Sequence, residues 1–332
     1  MSLIEESNDA QEAVFNRLQE GRQQVEAELG KAIVGQKAVV EQILLALISG
    51  GHCLITGAPG LAKTLLVKSI AEVFHLDFQR IQFTPDLMPA DITGTEILTD
   101  TPEGRQLAFA KGPIFTNLLL ADEINRTPPK TQSALLEAMQ EHQVTAAGER
   151  HILSEPFFVL ATQNPVEMEG TYPLPEAQLD RFLFNVLIDY LPEADEIEVV
   201  KRTTSKTGES LQSIFSNADV IGFQSLVRQV PVSDEVVQFA VQLTAATRPS
   251  DPNAPDFIKE WISWGAGTRA AQGLILASKA LALWNSRAHV TKEDIVSLAH
   301  PVLRHRILLN YRAEAAGETV ETVIDRLLEA KA

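Results

Sequence analysis

The segment Gly57-Ala58-Pro59-Gly60-Leu61-Ala62-Lys63-Thr64-Leu65 follows a short apolar run and opens a stretch carrying Leu66, Val67 and Ile70. A glycine-rich turn between a strand and a helix can aim its backbone N–H groups at phosphate oxygens. The helix N-terminus behind it favours negative charge, a lysine reaches the β- and γ-phosphates, and a hydroxyl holds Mg²⁺. Lys63 and Thr64 supply the last two groups, so residues 57–65 are candidate contacts for ATP. The usual pattern for such a loop has glycine immediately before the lysine, whereas this chain has Ala62. A methyl group is tolerated there if the backbone enters the helix with negative φ, which is the expectation for Ala62.

Leu118-Leu119-Leu120-Ala121 runs into Asp122 and Glu123. Acids at a strand end beside a phosphate loop suit two tasks: Asp122 holding Mg²⁺ together with Thr64, and Glu123 polarising an attacking water. Alone, such a pair is a solvated turn; its coupling to Lys63 and Thr64 makes it a catalytic candidate. A second apolar run, Phe157 to Ala161, leads to Thr162-Gln163-Asn164-Pro165. Asn164 there suits either orientation of the same water or the turn chemistry of Asn-Pro.

Three further groups stay open on residue type alone. Arg181, in Leu179-Asp180-Arg181-Phe182, fits an ion pair with Asp180 or a finger reaching a neighbouring subunit. Arg269, opening a helix after Gly265-Ala266-Gly267-Thr268, fits a swing toward phosphates or plain solvation. Arg304-His305-Arg306, with Arg312 close by, reads as a solvated helix face ahead of any ligand role. None of the seven histidines pairs with Cys or another His at metal-ligand spacing, so no structural metal is expected. The single cysteine, Cys53, lies in an apolar run and reads as core.

The elements that must position these groups are legible in the hydropathy pattern. The chain has 332 residues, 45% of them hydrophobic and 22% charged, which excludes global disorder. Helical spacing marks Asn8 to Leu29 and Gln36 to Ile48. Short apolar runs then alternate with helical segments, which predicts a parallel sheet covered on both faces with strands at His52–Thr56, Asp77–Phe83, Asn117–Ala121, Phe157–Ala161 and Phe184–Ile188. Thr84 to Phe115, rich in Pro, Gly and Thr, reads as an insertion with hairpin character. Past Leu191 and Pro192 strand signals stop, and helices are expected at Ser233–Thr247, Thr268–Asn285, Thr291–His305 and Glu318–Ala332, with Ser233 and Thr291 as N-caps. The expected division is a helical segment at 1–30, an α/β core at 31–191 and an all-helical domain at 192–332.

The net charge of −16 weighs against non-specific nucleic-acid binding. No run approaches the roughly 18 to 20 apolar residues needed to span a bilayer, and the acidic N-terminus is unlike a secretory signal. Both point to the cytoplasm.

The order of these features resembles an AAA+ ATPase, and Asp122 to Glu141, with Gly60-Leu61-Ala62-Lys63-Thr64, is similar to the MoxR family within it. The resemblance runs from about Ile33 to at least Arg306. It implies an αβα core with a five-stranded parallel sheet and a helix-2 insertion, then an all-α lid. Lys63 and Thr64 become Walker A, Asp122 and Glu123 Walker B, Asn164 sensor 1, Arg181 the arginine finger and Arg269 sensor 2. Val34-Gly35-Gln36 resembles the segment lining the adenine pocket. Thr84 to Phe115 and Gln143 to Leu153 resemble two hairpins that face the pore in ring-forming relatives.

The resemblance further implies ATP and Mg²⁺ as cofactors, a homo-oligomeric, hexameric ring, and client protein complexes matured in a chaperone-like way, including metal-cofactor insertion. Its partners would be von Willebrand factor A domain proteins, separate because this chain lacks that domain's Asp-x-Ser-x-Ser motif. The alternatives are a nucleic-acid motor, against which the charge counts, and a nucleotide-gated scaffold with little hydrolysis, against which the Asp122-Glu123 pair counts. A transcription activator lacks support, since the Gly-Ala-Phe-Thr-Gly-Ala loop of that group is absent from 84–115.

Overall fold

A computed structural model describes residues 3–331 apart from 59, 102–103, 147, 166–169 and 205–209. Two helices, α1 (Leu3–Ala32) and α2 (Lys37–Ser49), precede β1 (Cys53–Gly57), and α3 (Lys63–Val73) leads to β2 (Phe78–Gln82). The short α4 (Pro89–Thr93) opens the insertion, whose antiparallel hairpin is β3 (Gly94–Thr101) and β4 (Gly104–Lys111). Then come β5 (Leu118–Asp122), α5 (Pro129–Glu141), a second hairpin of β6 (Gln143–Ala146) and β7 (Glu149–Ile152), β8 (Phe158–Gln163), α6 (Glu176–Leu179) and β9 (Phe184–Ile188).

The remaining helices are α7 (Glu193–Thr204), α8 (Asn217–Gln229), α9 (Asp234–Ala245), α10 (Asp256–Trp261), α11 (Thr268–Trp284), α12 (Lys292–Ser297), α13 (Ala299–Leu303), α14 (Tyr311–Ala315) and α15 (Val320–Lys331). Between them lie β10 (Ile262–Trp264) and β11 (Leu308–Leu309).

The main sheet has five parallel strands in the order β2-β5-β8-β1-β9. All five predicted strands are present, displaced by a residue or two at most ends. The three inner strands are apolar up to the polar residues at their C-terminal ends because both their faces are covered. Their period of two still sorts side chains: Cys53, Ile55, Leu118, Leu120, Phe158 and Leu160 enter one core, while Leu54, Leu119, Ala121, Val159 and Ala161 enter the other. The first core is shared with α1 through Leu18, Val25 and Leu29, with α2 through Ile43 and Leu47, and with the C-terminal helices through Phe223, Leu274 and Trp284. The second is closed by Leu135 and Met139 of α5, with Phe83 and Phe182.

His52, just before β1, joins the layers. It is buried, its Nδ1 accepts the Val159 N–H at 3.1 Å, and its Nε2 donates to the Met139 carbonyl at 3.1 Å. Burial pushes its pKa down to about 4, so the ring is neutral and its tautomer is set by those two bonds. Cys53 is buried, and desolvation drives its thiol pKa upward, leaving an inert core residue.

Three expectations for the C-terminal half need correction. It is not wholly helical: Ile262 and Trp264 pair with Leu309 and Leu308 in an antiparallel ladder of two or three residues a side, too short to show alternation. The single helix expected at Thr291–His305 is two, α12 and α13. Pro301, inside α13, has no N–H to bond the Ser297 carbonyl, and the helix is interrupted at Leu298, the residue after that carbonyl. Arg304-His305-Arg306 is no solvated face either, since His305 and Arg306 are both buried. The N-caps hold: the Ser233 hydroxyl accepts from the Val236 N–H, and Thr291 forms a capping box with Asp294. Helices α7, α8, α10 and α14 carry no counterpart in the sequence reading.

Candidate nucleotide site

The parallel sheet delivers β1, β5 and β8 with their C-terminal ends side by side, the position where open α/β sheets bind ligands. A cavity of about 380 Å³ opens there, lined by Gly60, Leu61, Ala62, Lys63 and Thr64 on one side and by Asp122, Glu123, Thr162 and Asn164 on the other. Two glycines have separate reasons to be glycine. A Cβ on Gly57 would meet the Ile188 carbonyl oxygen at 2.3 Å, so β1 and β9 could not approach. Gly60 has φ +82°, a left-handed conformation that L side chains rarely adopt.

Ala62 contradicts its expectation. Its φ is +55°, not negative, so it caps α3 in the left-handed region and the helix-start explanation for its methyl group fails. The strain costs about 1–2 kcal/mol, held by the surrounding loop. Pro59 lies outside the described residues. Ala58 continues β1 into the loop, and Leu65 is exposed in the first turn of α3.

Lys63 is half-buried and its Nζ donates to the Gly57 carbonyl at 2.6 Å. Desolvation lowers its pKa, opposed by the charges of Asp122 and Glu123. The acids are tightly organised. The Thr162 hydroxyl donates to Asp122 Oδ1 at 2.6 Å and accepts the Glu123 N–H at 2.8 Å, using both capacities of one oxygen. Glu123 itself stands at φ +58°, just past the end of β5. Gln82 Nε2 donates to Glu123 Oε2 at 2.9 Å, and Arg126 Nε lies 3.1 Å from the same oxygen. Arg80 holds Asp122 Oδ2 through Nη2 at 2.6 Å and Nε at 3.1 Å. Asn164 is 6% exposed and lines the same cavity.

The donor set fits a magnesium nucleotide. It offers an ammonium, a hydroxyl at a helix start and two carboxylates around a polar space of triphosphate size, and Thr64 with Asp122 are the residues that would hold the metal.

The other sequence-predicted residues lie elsewhere. Val34 and Gly35 line a separate cavity of about 470 Å³ with Ile33, Lys37, Leu44 and Trp284, and Gln36 caps α2 at φ +51°. Arg181 and Arg269 line a third cavity of about 250 Å³ with Asp180 and Arg306. Arg181 Nη1 donates to the Leu136 carbonyl at 2.5 Å, and Arg269 sits 3.8 Å from Asp180. Neither lines the cavity that holds Lys63 and Asp122 within this chain.

The ATPase family associated with various cellular activities (AAA) matches residues 52–184, and the AAA lid domain matches residues 257–327. Chaperone MoxR1 of Mycobacterium tuberculosis is 43% identical over 91% of this chain and 79% of its own. The chain belongs to the MoxR family of AAA+ ATPases. Protein MoxR of Paracoccus denitrificans is 29% identical, covering 90% of this chain and 92% of its own. A crystal structure of a presumed ATPase from Cytophaga hutchinsonii superposes with a TM-score of 0.89 at 43% identity, over 98% of this chain and 97% of that one.

Sequence reasoning on this MoxR-family chain missed Arg80, Gln82, Arg126 and Thr162 around the acids. A signal for the first two was present: in Arg80-Ile81-Gln82 the apolar Ile81 points inward, so both polar neighbours share the opposite face of β2. It becomes informative only once β2 is known to pair with β5, opposite Leu120 and Asp122. Among the described residues no helix is long and apolar enough to cross a membrane, and no group of His, Cys, Asp and Glu could hold a further metal.

Proposed function

We propose that the chain hydrolyses ATP between subunits of a homo-oligomeric ring, six by family resemblance, in the cytoplasm, and uses the cycle to remodel or activate client protein complexes. The observation that carries the first part is the single cavity holding Lys63 and Thr64 against Asp122, Glu123 and Asn164. In this reading Lys63 neutralises the β- and γ-phosphates, and Glu123 accepts the proton of the attacking water. Asn164 orients that water, while Thr162 fixes both acids. Bound Mg²⁺, held by Thr64 and Asp122, supplies charge neutralisation for the phosphates.

Arg181 lies outside this cavity, which suits a finger for the site of the next subunit; such an arginine is worth about 10³ to 10⁵ in rate. Head-to-tail interfaces of that kind close into rings. Arg269 is proposed to act from the lid, and Val34, Gly35 and Gln36 to border the adenine. The β3–β4 hairpin presents Leu98 and Leu107 as an exposed cross-strand pair, and β7 presents Ile152. These are the proposed client contacts, clients being complexes that carry von Willebrand factor A domain partners or await a metal cofactor. The net charge of −16 counts against a nucleic-acid motor.

Glu123→Gln tests the chemistry. It keeps the shape and the Gln82 contact but removes the base, so it binds ATP, measured with a fluorescent analogue, while phosphate release falls by about 10² or more. Turnover equal to that of the parent removes Glu123 from the mechanism.

A further inference from the structure

Arg80 places its guanidinium directly on the acid proposed to hold the metal. Its guanidinium meets Asp122 Oδ2 through two nitrogens, at 2.6 and 3.1 Å, and Nη2 also donates to Gln82 Oε1 at 2.7 Å. Both oxygens of the Asp122 carboxylate are then engaged: Oδ1 takes the Thr162 hydroxyl and Oδ2 takes Arg80. Arg80 projects from β2, an edge strand, and its side chain is 45% exposed, so it can leave without disturbing the core. A fixed positive charge on that oxygen and a divalent cation on the same oxygen exclude one another, both by space and by like-charge repulsion.

We propose that Arg80 is a chain-borne substitute for the metal. It neutralises Asp122 while the site lacks Mg²⁺, and Mg²⁺ arriving with the nucleotide displaces it. This rests on the nucleotide-binding reading of the cavity. Two opposite consequences follow from one side chain. With Mg²⁺, Arg80 competes, so the site needs more metal than its ligands alone would demand. Without Mg²⁺, Arg80 cancels the repulsion between Asp122 and a polyphosphate, so nucleotide binding persists. A merely structural arginine would move neither quantity selectively.

The test is binding of N-methylanthraniloyl-ATP to the full chain carrying Glu123→Gln, so that turnover does not intervene, titrated from EDTA to excess Mg²⁺. Three forms are compared: Arg80 intact, Arg80→Met and Arg80→Lys. Arg80→Met is expected to lower the half-saturating Mg²⁺ about fivefold and to weaken binding in EDTA by a similar factor, the size of a partly exposed ion pair. Arg80→Lys, with a point charge in place of the two-pronged contact, falls between.

A half-saturating Mg²⁺ that is unchanged or raised in Arg80→Met overturns the proposal. So does binding in EDTA that is unchanged or tighter in Arg80→Met. Should Arg80→Met fail to fold by circular dichroism, Arg80→Lys decides by the same two shifts. Absence of nucleotide binding at every Mg²⁺ concentration with Arg80 intact removes the nucleotide reading itself, and this proposal with it.

Discussion

Arg306→Met deletes a buried guanidinium at nearly constant volume. Arg306 is 7% exposed. Its Nε donates to Asp180 Oδ1 at 2.7 Å, Nη2 to the Phe182 carbonyl at 2.7 Å and the Asp180 carbonyl at 3.2 Å, and Nη1 to the carbonyls of Leu183 and Val302. It therefore ties the segment just after α13 to the turn that carries Arg181 from α6 into β9. Burial draws its pKa down and Asp180 draws it up, the balance expected of a paired interior cation. Breaking a buried pair by removing one partner costs about 3–5 kcal/mol. Asp180 keeps Arg269 at 3.8 Å and is a quarter exposed, which selects the lower end, about 3 kcal/mol. An unfolding entropy near 2.1 cal/mol/K per residue makes each kcal/mol worth about 1.4 °C for a chain of 332 residues, so Tm falls by about 4 °C. Differential scanning calorimetry reads this, with exposed Arg312→Met as the control expected to shift Tm by less than about 1 °C. A Tm for Arg306→Met within a degree of the parent would refute the anchor.

Thr162→Val removes the hydroxyl that serves Asp122 and Glu123 together. We expect a loss of about 1–3 kcal/mol in stability and a kcat that falls while KM holds, with Thr162→Ser restoring both; parental kcat in the valine form would show that the acids hold themselves. His52 has a pKa of about 4 folded against 6.5 unfolded. The unfolded chain thus takes up the proton first, and the contribution of His52 is whole above pH 6.5 and lost as pH falls through 4, about 3 kcal/mol in all. His52→Gln, which offers one acceptor and one donor, should flatten the fall in Tm between pH 7 and pH 4.5, whatever its own starting stability; an undiminished slope would assign the acid sensitivity elsewhere.

The central strands were legible because Leu118 to Ala121 and Phe157 to Ala161 are buried on both faces and carry no polar interruption. The loop and acids that line one cavity were legible as candidates because their pattern is local: consecutive residues supply lysine and hydroxyl, and two acids close a strand. What escaped depends on pairing between distant segments. Arg80 acquires meaning only from β5 beside it, and Arg306 only from Asp180 across the domain junction. In both cases the sequence shows a charged residue of ordinary type, and solvation is the default reading. Ala62 escaped for another reason: a positive φ is set by the closure of the whole loop, and a single alanine carries no mark of it. The ladder of β10 and β11 is too short to leave a period.

The central question is whether hydrolysis belongs to an interface. The decisive measurement is ATPase rate against protein concentration with Mg²⁺, with mass followed by light scattering in the same samples, for the parent and Arg181→Ala. Rate per subunit is expected to rise with assembly in the parent, while Arg181→Ala reaches the same mass yet turns over about 10³-fold more slowly or worse. Equal rates in the two proteins at equal mass would contradict it, as would a parental rate per subunit that does not change as the assembly forms.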